Sequence, residues 1–179
     1  MHDQITKSIA EQIKQRRKAR GWSLDKLSAA SGVSKAMLGQ IERQESSPTV
    51  ATLWKIATGL ECSFSGLLSR TDASPYGDDE ELARHEDNFR VKTLFAFNPD
   101  SGFEMFELTL LNAHTQWSDA HAVGVYEHVV VQHGELLLYY DEQWHTLKEG
   151  ESARFHANQR HGYKTNGQQT RFIDVISYP

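Results

Sequence analysis

The chain reads as a two-domain α + β protein: a five-helix N-terminal domain over residues 1–69, an acidic linker over 70–88, and a C-terminal antiparallel β-barrel or jelly roll over 89–179. Three observations predict this. Segment 22–43, WSLDKLSAASGVSKAMLGQIER, carries two helix starts separated by a glycine turn. From Phe89 onward the apolar period changes from helical to two. The charge balance changes with it: residues 1–70 hold 11 Lys or Arg against 6 Asp or Glu, a net of +5, and residues 71–179 hold 8 against 18, a net of −10.

The helices are expected at about 4–20, 24–31, 35–43, 50–60 and 63–69. Ser23 is a good N-cap, with Leu24, Leu27 and Ala30 following at helical spacing. Gly32 tolerates the positive φ of a sharp turn, and Val33 is an apolar plug between two helices. Ser34 caps the next helix, whose inward stripe is Met37 or Leu38 plus Ile41. Thr49, after Ser47 and Pro48, caps the fourth helix. The expected core is Ile9, Ile13, Leu24, Leu27, Val33, Leu38, Ile41, Leu53, Ile56, Ala57, Leu60 and Leu67.

A helix of this kind can enter the major groove of DNA with its N-terminal residues against base edges. Its expected outward residues are Lys35, Ala36, Gly39 and Gln40. Glutamine reads adenine, lysine reads guanine or phosphate, and small residues allow close approach. Arg43, near the helix end, suits phosphate. An αα-hairpin in an ordinary bundle shares the periodicity but not the order cap, Gly, Val, cap. The basic run Lys14, Arg16, Arg17, Lys18, Arg20 is favourable at a helix C-terminus and is expected to bring some residues to phosphate.

The segment resembles the phage-repressor-like (XRE, HTH_3) helix-turn-helix family over residues 5 to about 69, including Ile41, Glu42, Arg43, Glu45 and Pro48 and the helix TVATLWKIATGL. The resemblance implies DNA recognition by Lys35, Ala36, Gly39 and Gln40, with helix-start phosphate contacts at Ser23 and Leu24; Ser34, the cap of the recognition helix, and Arg43 complete the expected DNA-binding set. The family usually has Gly at the place of Gln44, a departure expected to alter the loop.

Residues 70–88, RTDASPYGDDEELARHEDN, mark a solubilising linker, with a short helix expected over 80–85. Beyond it, FRVKTLFAF, FEMFELTLL, EHVVVQ, ELLLYY, WHTL, SARFH and TRFIDVISY are strand candidates. Asn98-Pro99, His133-Gly134, Glu149-Gly150 and Asn166-Gly167 separate them. No helical stretch intervenes, hence the barrel or jelly roll. No apolar run approaches 18 residues, which argues against a membrane span. The N-terminus lacks a hydrophobic signal core, so a cytoplasmic location is expected, and the single cysteine, Cys62, fits a reducing compartment.

Seven of the nine histidines fall after residue 113: His114, His121, His128, His133, His145, His156 and His161. Histidine with carboxylate is a ligand set for zinc, iron, manganese or nickel. The order His121, Glu127, Gly134, then Gly150, His161, resembles the two motifs of the cupin family, whose motif residues converge inside a small jelly roll. Val123 stands where a second metal histidine is expected, and Thr115 replaces the opening Gly. The resemblance therefore implies a three-ligand site of His121, Glu127 and His161 with an open position, zinc being the leading ion. A metal-free interior using these groups for hydrogen bonds is the other reading. His128 alternates with Glu127 and is expected outside, and His114, His133 and His145 in turns or on the surface. Tyr126, Arg154, Gln159, Tyr163 and Asp174 are candidate groups to orient a bound molecule. Phe106, Trp117, Phe155 and Phe172 are expected in the core.

The two resemblances together imply a transcriptional regulator. Its partners would be double-stranded DNA with a pseudo-palindromic operator, a small-molecule effector such as an amino or organic acid, and a second copy of the chain. Two alternatives stay open: a metal-dependent cupin enzyme, a dioxygenase or isomerase, and a ligand-free cupin serving only in dimerisation.

Overall fold

The computed structural model describes residues 2–68 and 88–179, which form two compact units. The linker expected over 70–88, apart from Asn88, lies outside the described residues, as does the short helix over 80–85.

The first unit holds α1 (His2–Ala19), α2 (Leu24–Ser31), α3 (Lys35–Glu42), α4 (Val50–Gly59) and α5 (Phe64–Leu68). Three of these begin on the expected caps. Ser23, Ser34 and Thr49 accept hydrogen bonds from the backbone N–H of Lys26, Met37 and Thr52. Gly32 sits at φ 69° and closes α2 by donating to Ser28 O at 2.9 Å. Gly59 of α4 lies against the end of α2, where a Cβ would meet Ser31 Cα at 2.8 Å.

The expected core is buried except Leu24, which is half-buried, and Ala10, Val50 and Phe64 join it. Trp54 stacks on Phe64 at 4.0 Å. Of the two candidates for the inward stripe of α3, Leu38 is fully buried and Met37 is 42% exposed. Arg17 of α1 holds the end of α3 through a two-pronged bond to Glu42, at 2.6 and 2.7 Å, and also donates to Trp22 O.

The second unit holds β1 (Phe89–Asn98), β2 (Phe103–Leu111), β3 (Thr115–Ser118), β4 (Tyr126–His133), β5 (Glu135–Tyr140), β6 (Gln143–Lys148), β7 (Ser152–His156), β8 (His161–Lys164) and β9 (Gln169–Ser177). They form two antiparallel sheets, ordered β1-β2-β9-β4-β7 and β3-β8-β5-β6. This is a jelly roll of two open sheets; the closed barrel offered as its alternative is not formed. Strands β3 and β8 were absent from the expected set. Each has four residues, too few for alternation to register, and β8 contains a glycine.

Alternation fixes which side chains face between the sheets. Glu104, Phe106, Leu108 and Leu110 of β2, Glu127, Val129 and Val131 of β4, and Thr170, Phe172, Asp174 and Ile176 of β9 are buried on one sheet. Leu136, Leu138, His161 and Tyr163 are buried on the other. Tyr163 stacks on Phe172 across the gap at 5.2 Å. Phe106 and Phe155 are buried as expected, but Trp117 is 37% exposed. Trp117 is in ring contact with Tyr139 and Trp144, in a row across β3, β5 and β6 that covers Gly162.

Candidate functional site

On α3 the cap fixes what can face DNA. Lys35, Ala36, Gln40 and Arg43 are exposed, as are the capping residues Ser23 and Ser34. Gly39 is buried, because the Arg43 side chain lies over it with Nη1 3.0 Å from the position a Cβ would take. Lys35 pairs with Asp25 at 2.7 Å on the open surface, a bond of little worth that a phosphate can displace. Met37 joins the exposed set without having been expected there.

The basic run of α1 is partly structural. Arg16 donates to Gly66 O at 2.9 Å, Arg17 is tied to Glu42, and Arg20 pairs with Glu61 and lies over Trp22. Lys14 and Lys18 are exposed. Gln44, where the family usually has Gly, takes the left-handed conformation nonetheless, at φ 63°. Its N–H bonds to Ile41 O, and that of Glu45 to Gln40 O, both at 2.9 Å, which is the Schellman closure.

In the jelly roll, His121, Glu127 and His161 come together as expected, with one ligand atom from each inside a 4.8 Å sphere of mutual distance. Glu127 comes from β4 and His161 opens β8, so the two sheets each supply one. His121 lies on the loop between β3 and β4, tied down by its backbone N–H to Ala157 O at 2.9 Å. Glu127 Oε1 faces both imidazoles, 3.0 Å from His121 Nε2 and 3.1 Å from His161 Nε2. Its Oε2 accepts from the Tyr163 hydroxyl.

The hydrogen positions follow from the partners. His161 Nδ1 lies 2.9 Å from Gln159 O, so this nitrogen carries the hydrogen and donates. A neutral ring then turns the lone pair of Nε2 toward a carboxylate oxygen, and two lone pairs 3.1 Å apart repel. The arrangement calls for a proton on Nε2 or a cation among the three residues. Nε2 of His161 is buried without a well-formed hydrogen bond, which leaves it open to either.

Burial would raise the Glu127 carboxyl, but the pull of His161 and His121 outweighs it and holds the group well below the usual carboxylate range. Burial alone would lower His161, and Glu127 overcomes it to leave the imidazole raised. Burial, reinforced by Asp174 and Glu127, pushes the Tyr163 phenol well up. Burial beside Glu127 and Glu104 does the same to the Asp174 carboxyl.

The remaining expected residues divide. Tyr163 is inside. Tyr126 and Arg154 lie on the outer face, where Tyr126 OH is 3.2 Å from His156 Nε2 and Arg154 lies 5.9 Å from the Tyr126 ring. Gln159 anchors the turn before β8, with its side chain on Asp141 and its carbonyl on His161. Val123, at the place of a second metal histidine, is 83% exposed and offers the cluster nothing. Outward placement holds for His128 and His133, but His145 stacks on Tyr140 at 4.0 Å with Nε2 buried and unpartnered. Asp174 Oδ1 is buried and unpartnered likewise. Glu104, fully buried and accepting from Tyr178, was not singled out by its sequence.

The donor set is compatible with a metal, its three ligand atoms lying within 4.8 Å of one another. A tetrahedral ion with bonds of about 2.0–2.1 Å keeps its donors roughly 3.3 Å apart, close to the spacing across Glu127. With Nδ1 committed to Gln159 O, a neutral His161 ring would turn the Nε2 lone pair to an ion beside Glu127.

Five helices with a capped recognition helix, joined to a jelly roll with an internal His–Glu–His cluster, define a helix-turn-helix regulator carrying a cupin domain. Comparison with known proteins agrees. Residues 13–67 match the helix-turn-helix family model HTH_3, and residues 108–176 match the cupin domain model. The chain is 45% identical to the HTH-type transcriptional regulator SutR of Escherichia coli K12, over 99% of this chain and 98% of that one. The crystal structure of an HTH_3 family transcriptional regulator from Vibrio cholerae superposes with a TM-score of 0.93 at 45% identity, covering 100% and 99% of the two chains. The cupin domain of an XRE family regulator from Enterobacter cloacae gives a TM-score of 0.50 at 33% identity, over 51% of this chain and 98% of that one. The chain belongs to the HTH-type transcriptional regulators that carry an XRE-type head and a cupin domain.

Proposed function

We propose that this regulator binds a pseudo-palindromic operator as a homodimer in the cytoplasm and that its cupin domain senses a small polar effector, amino-acid- or organic-acid-like, through a bound divalent metal. One observation carries the sensing half. His145 Nε2 and Asp174 Oδ1 are buried without a hydrogen-bond partner among the described residues, and His161 Nε2 has only its close contact with the Glu127 carboxylate, all on inner faces of the sheets. An interior built only to join two copies has no reason to leave such groups open, since each costs about 1–3 kcal/mol.

His121, Glu127 and His161 would hold the metal, zinc first and iron, manganese or nickel as alternatives. Bound there, it would supply a Lewis-acid anchor for a carboxylate or carbonyl oxygen of the effector. The protein's own part is to exclude water, to hold Glu127 ionised through Tyr163 and the imidazoles, and to fix the His161 tautomer through Gln159. Base reading falls to Lys35, Ala36 and Gln40, with Ser23 and Ser34 near phosphate. The effector alters DNA affinity only through its differential affinity for the two arrangements of the heads.

The test uses full-length protein stripped of metal, then loaded with zinc, in a thermal-shift screen of small metabolites. A zinc-dependent shift lost in His161→Ala, with an effector adding roughly 2.7 kcal/mol at 100 times its dissociation constant, is expected. No zinc response in a folded protein sinks the metal. No response to any metabolite favours a dimerisation module.

A further inference from the structure

We infer that Glu45 is a positioning residue of the DNA-reading surface: it holds the Arg43 guanidinium side-on, so that the free end-on edge is presented to the operator. The inference rests on the DNA-binding reading and adds to it a residue that does not itself touch DNA.

Arg43 Nε and Nη2 donate to Glu45 Oε1 and Oε2 at 2.8 and 2.7 Å. Those two nitrogens form the side-on edge of the fork. What remains is the end-on edge, Nη1 with the outer N–H of Nη2, the pair of donors that matches the O6/N7 edge of a guanine. Arg43 follows Ala36 and Gln40 at helical spacing, so it shares their face of α3. Its guanidinium is folded back along the helix over Gly39, with Nη1 3.0 Å from the place of a Cβ. A larger residue at 39 would push it off.

The backbone builds the clamp. Gln44 turns left-handed at φ 63° and the Glu45 N–H returns to Gln40 O, which brings the Glu45 carboxylate back beside residue 43. A single exposed ion pair is worth little in stability. Its value here is orientation, because an arginine held in one geometry loses less freedom on binding.

Two models predict opposite signs. If Glu45 is merely a negative charge near phosphate, Glu45→Gln tightens binding to every duplex. If it positions Arg43, Glu45→Gln weakens the specific duplex while unrelated duplex holds or tightens. The experiment first selects a preferred duplex from a random pool with the full-length protein. It then titrates that duplex and an unrelated one, by fluorescence anisotropy at fixed salt, against wild type, Glu45→Gln, Arg43→Gln and the double variant. The expected result is a fall of about tenfold in the ratio of specific to unrelated affinity for Glu45→Gln, the scale of one bidentate contact. Added to Arg43→Gln it should bring no further fall, and the melting temperature should not change. An unchanged or increased ratio overturns the inference, as does a full effect of Glu45→Gln in the absence of Arg43. A wild type that enriches no sequence fails at the earlier step, the DNA-binding reading, and the inference falls with it.

Discussion

The head and the cupin domain treat buried polar groups in opposite ways. In the head, Arg17 and Glu42 close on each other and Ser31 closes on Leu27 O. Its one unpartnered buried side-chain atom among the described residues, Arg16 Nε, belongs to a group whose Nη2 already donates to Gly66 O. In the cupin domain the buried atoms without a hydrogen bond among the described residues sit on His145, His161 and Asp174, each titratable and each facing between the sheets, and of these His161 meets only the Glu127 carboxylate. A module whose polar groups are closed presents a fixed surface. Open groups of this kind are what the proposed sensing role of the cupin domain requires.

The largest expected effect tests the closed side. Arg17 and Glu42 side chains are 11% and 6% exposed, so removing one leaves the other buried and uncompensated. Glu42→Ala should destabilise the head by about 3–5 kcal/mol in urea unfolding followed at the helical signal. An apolar double replacement, Arg17→Met with Glu42→Leu, should recover much of it. A loss under about 1 kcal/mol would mean the pair is effectively solvated, and the contrast with the cupin domain would collapse.

The next tests the open side through pH. His161 has a raised folded pKa, so its contribution is fully present below its unfolded value of about 6.5 and is lost as pH rises through the folded one. Raised Asp174 acts in the same direction, and lowered Glu127 loses its contribution only in strong acid. Metal-free protein should therefore lose cupin stability as pH rises above about 6.5. Zinc needs the unprotonated imidazole, so zinc-loaded protein should gain over the same window. Calorimetry of both forms reads the two slopes, and parallel slopes would break the metal assignment. Asp174→Asn, a neutral isostere, should raise the melting temperature at pH 7 and lose that gain toward pH 4.

Much of the closed region was legible in the sequence, and less of the open one. Caps announce themselves by residue type, so Ser23, Gly32, Ser34 and Thr49 fell where expected. The His121, Glu127 and His161 cluster was legible through the resemblance of its order to the two cupin motifs. Inner and outer faces were harder, because FEMFELTLL is apolar on both, and only strand pairing tells that Glu104 goes in and Glu107 stays half-buried. The alternation that sends His128 outward from Glu127 sends Tyr126 outward too. Arg154, beside buried Phe155, follows the same rule.

A smaller effect separates tight packing from idle space within the head. A Cβ on Gly59 would stand 2.7 and 2.8 Å from Ser31 Cβ and Cα, and helix backbone cannot step aside as a side chain can. Gly59→Ala should cost about 1–3 kcal/mol by forcing α2 from α4, and it should weaken operator binding by shifting the helix that carries Ser34's turn. Retained stability would show that the two helices slide freely.

The smallest effect concerns the turn that ends the recognition helix. Gln44 at φ 63° pays a steric cost that glycine avoids, yet its side chain restricts the unfolded chain. Gln44→Gly should stabilise the head by roughly 0.5–1 kcal/mol, the strain exceeding the entropy gained by the unfolded state. Because the closure to Ile41 O and Gln40 O is made by backbone, it should survive the change, and so should the placement of Glu45 beside Arg43. Denaturant titration with a paired duplex titration checks both at once. Greater stability with unchanged specificity is the expected outcome. Greater stability with lost specificity would show that Gln44 contributes to the DNA surface through its exposed amide, and the head would then be less closed than its ion pairs suggest.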